Sequence, residues 1–353
     1  MLSELSSAVK SAIENFSMPN EVGFGTVIAP IMIEANFKDQ TWSKLEVLPF
    51  GKITIHPTAK VFHYAQEIFE GLKAYKSPKG EPLLFRPEKN AKRFNYSARR
   101  MAMPEIPEEV FIKACQTITK LSQKFIPSAS GSSLYLRPFM FATEATLGIK
   151  PSNEFKFMVL ASPSGSYFKS GGLNVFIERQ AIRACPGGVG TAKTGGNYAA
   201  SLLSSTKAID HGCQQTLWLD ALTHKKIEEM SGMNFMCIKN KQIITPELTD
   251  TILSGITRSS VIELAKLNGF EVSERTILID ELIDGIKSGE ITEAFACGTA
   301  AIITPIENFI EGNGKTYELP KLEGPTCIKL RNLLLDIQEG RKEGPKGWSQ
   351  IID

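Results

Sequence analysis

The sequence carries almost no net charge: 40 basic residues face 38 acidic ones, a balance of +2. Such a chain projects no long-range field that would gather nucleic acid or an anionic membrane, so a small molecule is the expected partner. Its six cysteines, Cys115, Cys185, Cys213, Cys237, Cys297 and Cys327, form no C-x-x-C pair. That spacing argues against a zinc site or a disulfide framework, and no metal is expected. The thiols read as buried groups in a reducing compartment. No apolar run approaches the ~18 residues needed to cross a bilayer. Leu5, Val9, Ile13 and Phe16 recur at helical spacing near the start, but Glu4 and Glu14 interrupt any signal-peptide core and the segment is not Arg-rich. A cytoplasmic location is therefore expected, and the sequons at Asn15 and Asn95 are chance matches. Internal repeats, low-complexity tracts and heptads are missing too, which excludes solenoids and coiled coils.

What remains is an ordinary globular composition, 42% hydrophobic and 22% charged over 353 residues, long enough for two domains. Residues 52–62 (KITIHPTAKVF) and 83–86 (LLFR) have the β-branched and aromatic content of strands. Pro87 suits the first turn of a helix over 87–100. Val110, Ala114, Ile118, Leu121 and Phe125 predict a second helix from Pro107 to about Ile126. Strands follow at 133–141 and 155–161. The Ser- and Gly-rich stretch 162–172 is the expected interdomain connection, dividing a small domain, 1–161, from a larger one, 173–353. In the second part, strands are expected at 173–178, 215–220, 227–230, 235–239 and, with a glycine break, 293–303. Helices are expected at 197–211, 257–268 and 280–288, stopped by Gly212, Gly269 and Gly289. Strands and helices mix without a βαβ rhythm, which suits an α+β or mixed α/β class.

The densest unusual segment is RACPGGVGTAKTGGNYAAS, Arg183 to Ser201, where five glycines surround one lysine just before a helix. Walker A needs Gly-Lys-Ser/Thr, but Lys193 follows Ala192, and G-x-G-x-x-G would need glycine at 193. Both phosphate motifs fail at their defining position. A lysine in a tight turn is ordinarily solvated; here Gly190, Gly195 and Gly196 are expected to clear room for a bulky group at its tip. A lysine amine that loses its proton attacks carbonyls, so Schiff-base chemistry is the natural reading.

K-T-G-G-N-Y at 193–198 resembles the lysine motif of the branched-chain aminotransferases, fold-type IV pyridoxal-phosphate enzymes. Six further segments are similar to family motifs in the same order: FHYAQEIFEGLKAY (62–75), FRPEKNAKRF (85–94), SLYLRPFMFATEATLGIKP (133–151), EEMSGMN (228–234), SGITR (254–258) and ACGTAAIITP (296–305). The resemblance runs from about Glu21 to the C-terminus. It implies a two-domain fold with a small N-terminal α/β domain and a larger mixed-sheet domain that binds pyridoxal 5′-phosphate. It also implies reversible transfer of an amino group between L-leucine, L-isoleucine or L-valine and 2-oxoglutarate.

The roles it implies follow the chemistry of transamination, whose hard step is loss of the Cα proton into an electron sink. Lys193 would hold the resting cofactor as an imine and later shuttle the proton. Glu229 would keep the ring nitrogen protonated, with neighbouring Glu228 left open as the alternative. Arg93 matches the phosphate-binding arginine, and the Ser254-Gly255-Ile256-Thr257 turn opens a helix whose amides point at anions. Thr299 resembles another phosphate position, and Tyr198 would meet the phenolic oxygen. Arg93 also lies in a charge row, Lys89, Lys92, Arg93, Arg99 and Arg100, of a kind that is usually solvated.

A substrate pocket for both aliphatic and acidic side chains needs an apolar wall with a polar exit. Tyr64, Phe69, Tyr135 and Arg137 match that pocket, and the Gly298-Thr299-Ala300 backbone matches the seat of the α-carboxylate. Leu147 and Ile149 fall where the family sends side chains into a neighbouring subunit, implying a homodimer. Some members carry a redox-sensitive C-x-x-C after the GTA turn; Ala301 and Thr304 stand there, so no thiol switch is expected at that place. D-amino acid transaminase and aminodeoxychorismate lyase share the fold and a similar lysine and glutamate, and stay open as alternatives. So does a non-catalytic binder of pyridoxal phosphate or nucleotide, though the retained lysine, acid and arginine speak against it.

Overall fold

A computed structural model describes residues 5–165, 171–321 and 325–352. Its contacts divide the chain into two compact units, Met1–Tyr167 with Ala192–Gly195 and Leu335–Asp353, and Phe168–Thr191 with Gly196–Leu334. Of the connection expected at 162–172, residues 166–170 lie outside the described residues.

The first unit begins with helix α1 (Ser7–Asn15), capped by the Ser6 side chain, which accepts from the Val9 amide. Val9 and Ile13 turn inward, as the helical spacing implied. There follow β1 (Ile31–Lys38), β2 (Thr41–Trp42), β3 (Glu46–Pro49), α2 (Lys60–Tyr64), β4 (Glu67–Phe69), β5 (Leu72–Lys76), β6 (Pro82–Phe85), α3 (Pro87–Arg100), α4 (Glu108–Leu121), β7 (Ser133–Ala142) and β8 (Phe155–Ser164). A C-terminal strand, Ser349–Ile351, pairs with β6 and explains why the last residues belong to this unit. The sheet runs from that strand through β6, β5, β7, β8 and β1 to β2, with β3 beside β1 and β4 beside β7. Neighbours pair antiparallel.

One expectation fails here. Residues 52–62 form no strand: Pro57 removes a ladder donor, and the chain turns at Thr58 into α2. The strands of this region lie earlier, β1 and β3. Along β7 the alternation of period two decides the rest. Leu134, Leu136, Met140 and Ala142 join Ile68, Phe94, Phe111, Ala114 and Phe157 in the main core. Tyr135, Arg137, Phe139 and Phe141 therefore look out of the opposite face.

The second unit contains β9 (Leu173–Ile177), α5 (Gly195–Ala199), α6 (Leu202–Asp210), β10 (Gln215–Leu219), β11 (Ile227–Met230), β12 (Asn234–Lys239), β13 (Gln242–Thr245), α7 (Ile256–Leu267), β14 (Val272–Glu274), α8 (Ile279–Ser288), β15 (Ile291–Gly298), β16 (Ile302–Ile310) and β17 (Thr316–Glu318); α9 (Thr326–Gln338) follows. The order in its sheet is β11, β10, β9, β16, β15, β12, β13, β14, with β17 beside β16. Pairings are mixed, parallel at β9–β10, β9–β16 and β13–β14. The fold is α+β. The single strand expected over 293–303 is instead a hairpin: β15 and β16 pair antiparallel, Gly298 opposite Ile302, around a turn at 299–301. The helix expected over 197–211 breaks at Ala200–Ser201 into α5 and α6, and Gly212 stops it in the left-handed region at φ +71°.

Candidate active site

Strand β4 organises the site-bearing face of the first unit. The lysine segment lies alongside it: the Phe69 amide donates to the Lys193 carbonyl at 2.9 Å, and the Thr194 hydroxyl donates to the Glu67 carbonyl at 2.8 Å. The Gly195 amide donates to the Glu67 carboxylate. From the helical layer, Ser97 Oγ accepts from the Lys193 amide at 3.0 Å. The backbone of Lys193 is thus fixed on both sides while its Nζ stands 4.6 Å from the centroid of the Phe69 ring. Arg137 Cζ lies 4.7 Å from the same centroid and 5.4 Å from that of Tyr135. One aromatic ring meets both cations.

Arg137 donates from Nη2 to the Tyr135 hydroxyl at 3.1 Å, while its Nε is buried without a hydrogen-bond partner. A buried guanidinium donor left unspent is the mark of a site for an anion. Phe24, which sequence reasoning passed over, packs edge-on against Tyr135 at 4.8 Å. Gly71 is required beneath it, because a Cβ there would stand 2.2 Å from the Tyr135 hydroxyl.

Arg93 is not a solvated member of a charge row. Its Nε and Nη2 form a two-pronged pair with Glu70 at 2.7 and 2.8 Å, and Asn90 donates to the same carboxylate at 2.7 Å. Glu70 is wholly buried. It too escaped the sequence reading, although it is the acid of the F-E-G segment.

Tyr64 and Leu147 meet directly: the phenol donates to the Leu147 carbonyl at 2.5 Å. Leu147 and Ile149 project from a surface loop at 57% and 89% exposure. Fully buried Lys60 supports that loop, its Nζ reaching Glu144 at 3.0 Å and the carbonyls of Lys150 and Pro151 at 3.0 and 3.2 Å. Burial works to raise the Glu144 carboxyl, but the Asn153 amide, the Lys60 hydrogen bond and the charges of Lys60 and Lys150 together hold it below its usual range.

In the second unit the expected residues gather around the turn between β11 and β12. Glu229 is buried; Arg183 Nε sits 2.7 Å away as a charge contact rather than an aligned hydrogen bond. The Asn234 amide at 3.2 Å and the Leu253 amide at 3.3 Å donate to it as well. Asn234 also borders the start of α7, where a Cβ on Gly255 would lie 1.9 Å from its Oδ1. Asn234 thus touches both Glu229 and Gly255, the residue before Ile256 and Thr257. Gly298 packs on Met233, placing Thr299 and Ala300 next to the same turn, and Gly232 lies against the Tyr198 ring.

Glu228 faces the other way, accepting from the Thr251 hydroxyl at 2.6 Å with Oε2 buried and without a partner. Burial pushes its carboxyl up, more than the Thr251 hydrogen bond and Arg183 lower it. Arg183, a further residue not anticipated, also donates to the Gly190 and Thr251 carbonyls. Two of the loop glycines admit protein neighbours rather than a bulky group: a Cβ on Gly190 would strike Thr251 and Ala184, and one on Gly195 the Glu67 carboxylate; one on Gly196 would meet nothing within 4 Å, so there the expected room is present.

The donor set fits pyridoxal phosphate. Taken unit by unit, the donors are of the kinds that this group takes: an amine and a guanidinium in the first, and a buried carboxylate, a phenol and helix-start amides in the second. Among the described residues no group of three His, Cys, Asp or Glu is placed to hold a metal, and no helix is long and apolar enough to cross a membrane.

Residues 67–309 match the family described as Amino-transferase class IV. The chain belongs to this family. It is 45% identical over 334 residues to the branched-chain-amino-acid aminotransferase of Mycolicibacterium smegmatis, covering 92% of this chain and 91% of that protein. Branched-chain-amino-acid transaminase 1 of Bacillus subtilis is 41% identical over 342 residues, 94% of each. Among solved structures, the Escherichia coli branched-chain amino acid aminotransferase superposes with a TM-score of 0.75 at 26% identity, covering 91% of this chain and all of that one. A T.th. branched-chain amino acid aminotransferase complexed with N-(5′-phosphopyridoxyl)-L-glutamate gives 0.73 at 27% identity, covering 90% and 98%.

Proposed function

We propose that the chain is a branched-chain-amino-acid aminotransferase with pyridoxal 5′-phosphate as cofactor, carried covalently on Lys193. The observation that supports this most directly is the pairing on Phe69: a lysine amine and a guanidinium with an unspent buried donor share one aromatic ring. An aliphatic side chain can lie on Phe69 and Tyr135, and a γ-carboxylate can take the free donors of Arg137. These are the two substrates that alternate in such an enzyme.

When bound, the cofactor supplies an aldehyde for the amino group and an electron sink. Lys193 Nζ would hold that aldehyde and, as a free amine, would move the substrate's Cα proton. Glu229 would be the acid at the ring nitrogen. Its neighbour Glu228 points away and is engaged by Thr251. Arg93, already oriented by Glu70, would meet the phosphate; Ile256, Thr257 and Thr299 are the phosphate candidates of the second unit, and Tyr198 would meet the ring oxygen. Thr299 and Ala300 seat the substrate α-carboxylate through their backbone. Phe69, Tyr64 and Tyr135 exclude water from the aliphatic side chain.

We place the protein in the cytoplasm as a homodimer. Its cysteines are all free thiols and five are buried, with burial pushing Cys237 up to about 12. Leu147 and Ile149, exposed on a supported loop, are the side chains a second subunit would cover; light scattering should give twice the chain mass. The test of the activity is colour and turnover. Purified protein should be yellow, bleach with L-leucine and recover with 2-oxoglutarate. Bleaching with D-alanine alone would refute the assignment.

A further inference from the structure

Glu67 has no task in the reaction as described, yet three observations place it on the strand face that carries Phe69 and Arg137. It lies two residues from Phe69 on β4, so the two side chains leave the strand on the same side. The register sets Glu67 opposite Phe141 and Phe69 opposite Phe139 on β7, with Arg137 the next residue along that face. The Gly195 amide holds the Glu67 carboxylate against the lysine segment. Burial raises the Glu67 carboxyl, while the hydrogen bonds from Gly195 and Thr194 and the charge of Arg137 draw it down. Glu67 thus shares a half-buried surface with two cations, Lys193 and Arg137.

A carboxylate on such a surface offsets part of the potential of a nearby guanidinium, because charges there are screened less than in water. Pinned by Gly195, it does so without taking over the unspent Nε of Arg137. We infer that Glu67 is a specificity-determining residue: its negative charge weakens the hold of Arg137 on the side-chain carboxylate of an acidic substrate, letting aliphatic and acidic substrates exchange on one site. This rests on the reading of Arg137 as the acceptor of that carboxylate.

The experiment compares Glu67→Gln with Glu67→Asp in the cofactor-loaded enzyme. Glutamine keeps an oxygen for the Gly195 amide and removes the charge; aspartate keeps the charge. In Glu67→Gln the KM for 2-oxoglutarate should fall relative to that for 4-methyl-2-oxopentanoate by about fivefold, the size of one partly screened charge contact. Direct binding of glutarate, which cannot react, should tighten by a similar factor. Glu67→Asp should keep the wild-type ratio. A ratio unchanged within twofold in Glu67→Gln, or the same shift in Glu67→Asp, overturns the proposal. Arg137→Gln separates the two layers of inference. If it leaves the KM for 2-oxoglutarate unaltered, the substrate reading fails. If it raises that KM, Glu67→Gln added to it should have no further effect on the ratio.

Discussion

The two units present their chemistry differently. In the first, the side chains stand at alternate positions of regular strands, Tyr135 and Arg137 on β7 and Glu67 and Phe69 on β4, with the reverse face locked into a helix-covered core. In the second they stand at interruptions: the turn after β11, the start of α7, the hairpin turn at 299–301 and the short α5. A sheet face fixes direction and spacing, which suits recognition of a side chain. Turns and helix starts expose backbone donors, which suits a phosphate and a carboxylate. Substitutions on the strand face should therefore change which substrate is preferred, whereas those at the turns should change whether the cofactor works at all.

The sharpest challenge to that contrast is Lys193, a turn-borne residue that hydrogen-bonds along β4. Lys193→Ala should lower turnover of L-leucine with 2-oxoglutarate by about 10³-fold or more, the scale of a lost proton-transfer group, while its melting temperature stays near that of the parent. Next comes the pair on β11. Glu229→Gln should cost about 10²-fold in kcat, and Glu228→Gln less than about threefold; equal losses in steady-state kinetics would erase the distinction between the two acids. On the strand face, Arg137→Gln should raise the KM for 2-oxoglutarate about tenfold, the size of one hydrogen bond to a charged group, and that for 4-methyl-2-oxopentanoate far less.

Away from both regions, Lys60→Met removes a buried cation from three acceptors. Chemical denaturation should show a loss on the order of 2–3 kcal/mol. The smallest effect is a pH dependence. Glu228 titrates above its ordinary range in the folded chain, so the folded state binds its proton more tightly than the unfolded one. Its contribution is present below the ordinary carboxylate pKa and is lost as pH rises through the raised one. Melting curves of Glu228→Gln should therefore fall less than those of the parent between acidic and neutral pH.

How much of this was legible follows from the kind of signal each residue carries. The helix over 87–100 is announced by Pro87 and stops where expected, and Gly269 and Gly289 mark helix ends through positive φ. The Lys193 segment is legible through its resemblance to the family's lysine motif; glycine density alone marks only a crowded backbone site that fails both phosphate motifs. By contrast, the strand expected at 52–62 rested on β-branched content that α2 overrides, and 293–303 read as one strand because a turn of Thr and Ala carries no strong turn residue beyond Gly298. Glu70, Arg183, Lys60 and Glu67 were invisible for a common reason. A charged residue declares itself functional only through its partners, and those lie 23, 46, 84 and 128 positions away.

The central claim is that Lys193 carries the cofactor. Borohydride reduction of the yellow protein, followed by digestion and mass spectrometry, should find the pyridoxyl group on the peptide that contains Lys193 and on no other. The group on a different lysine, with Lys193 unmodified, would contradict the account.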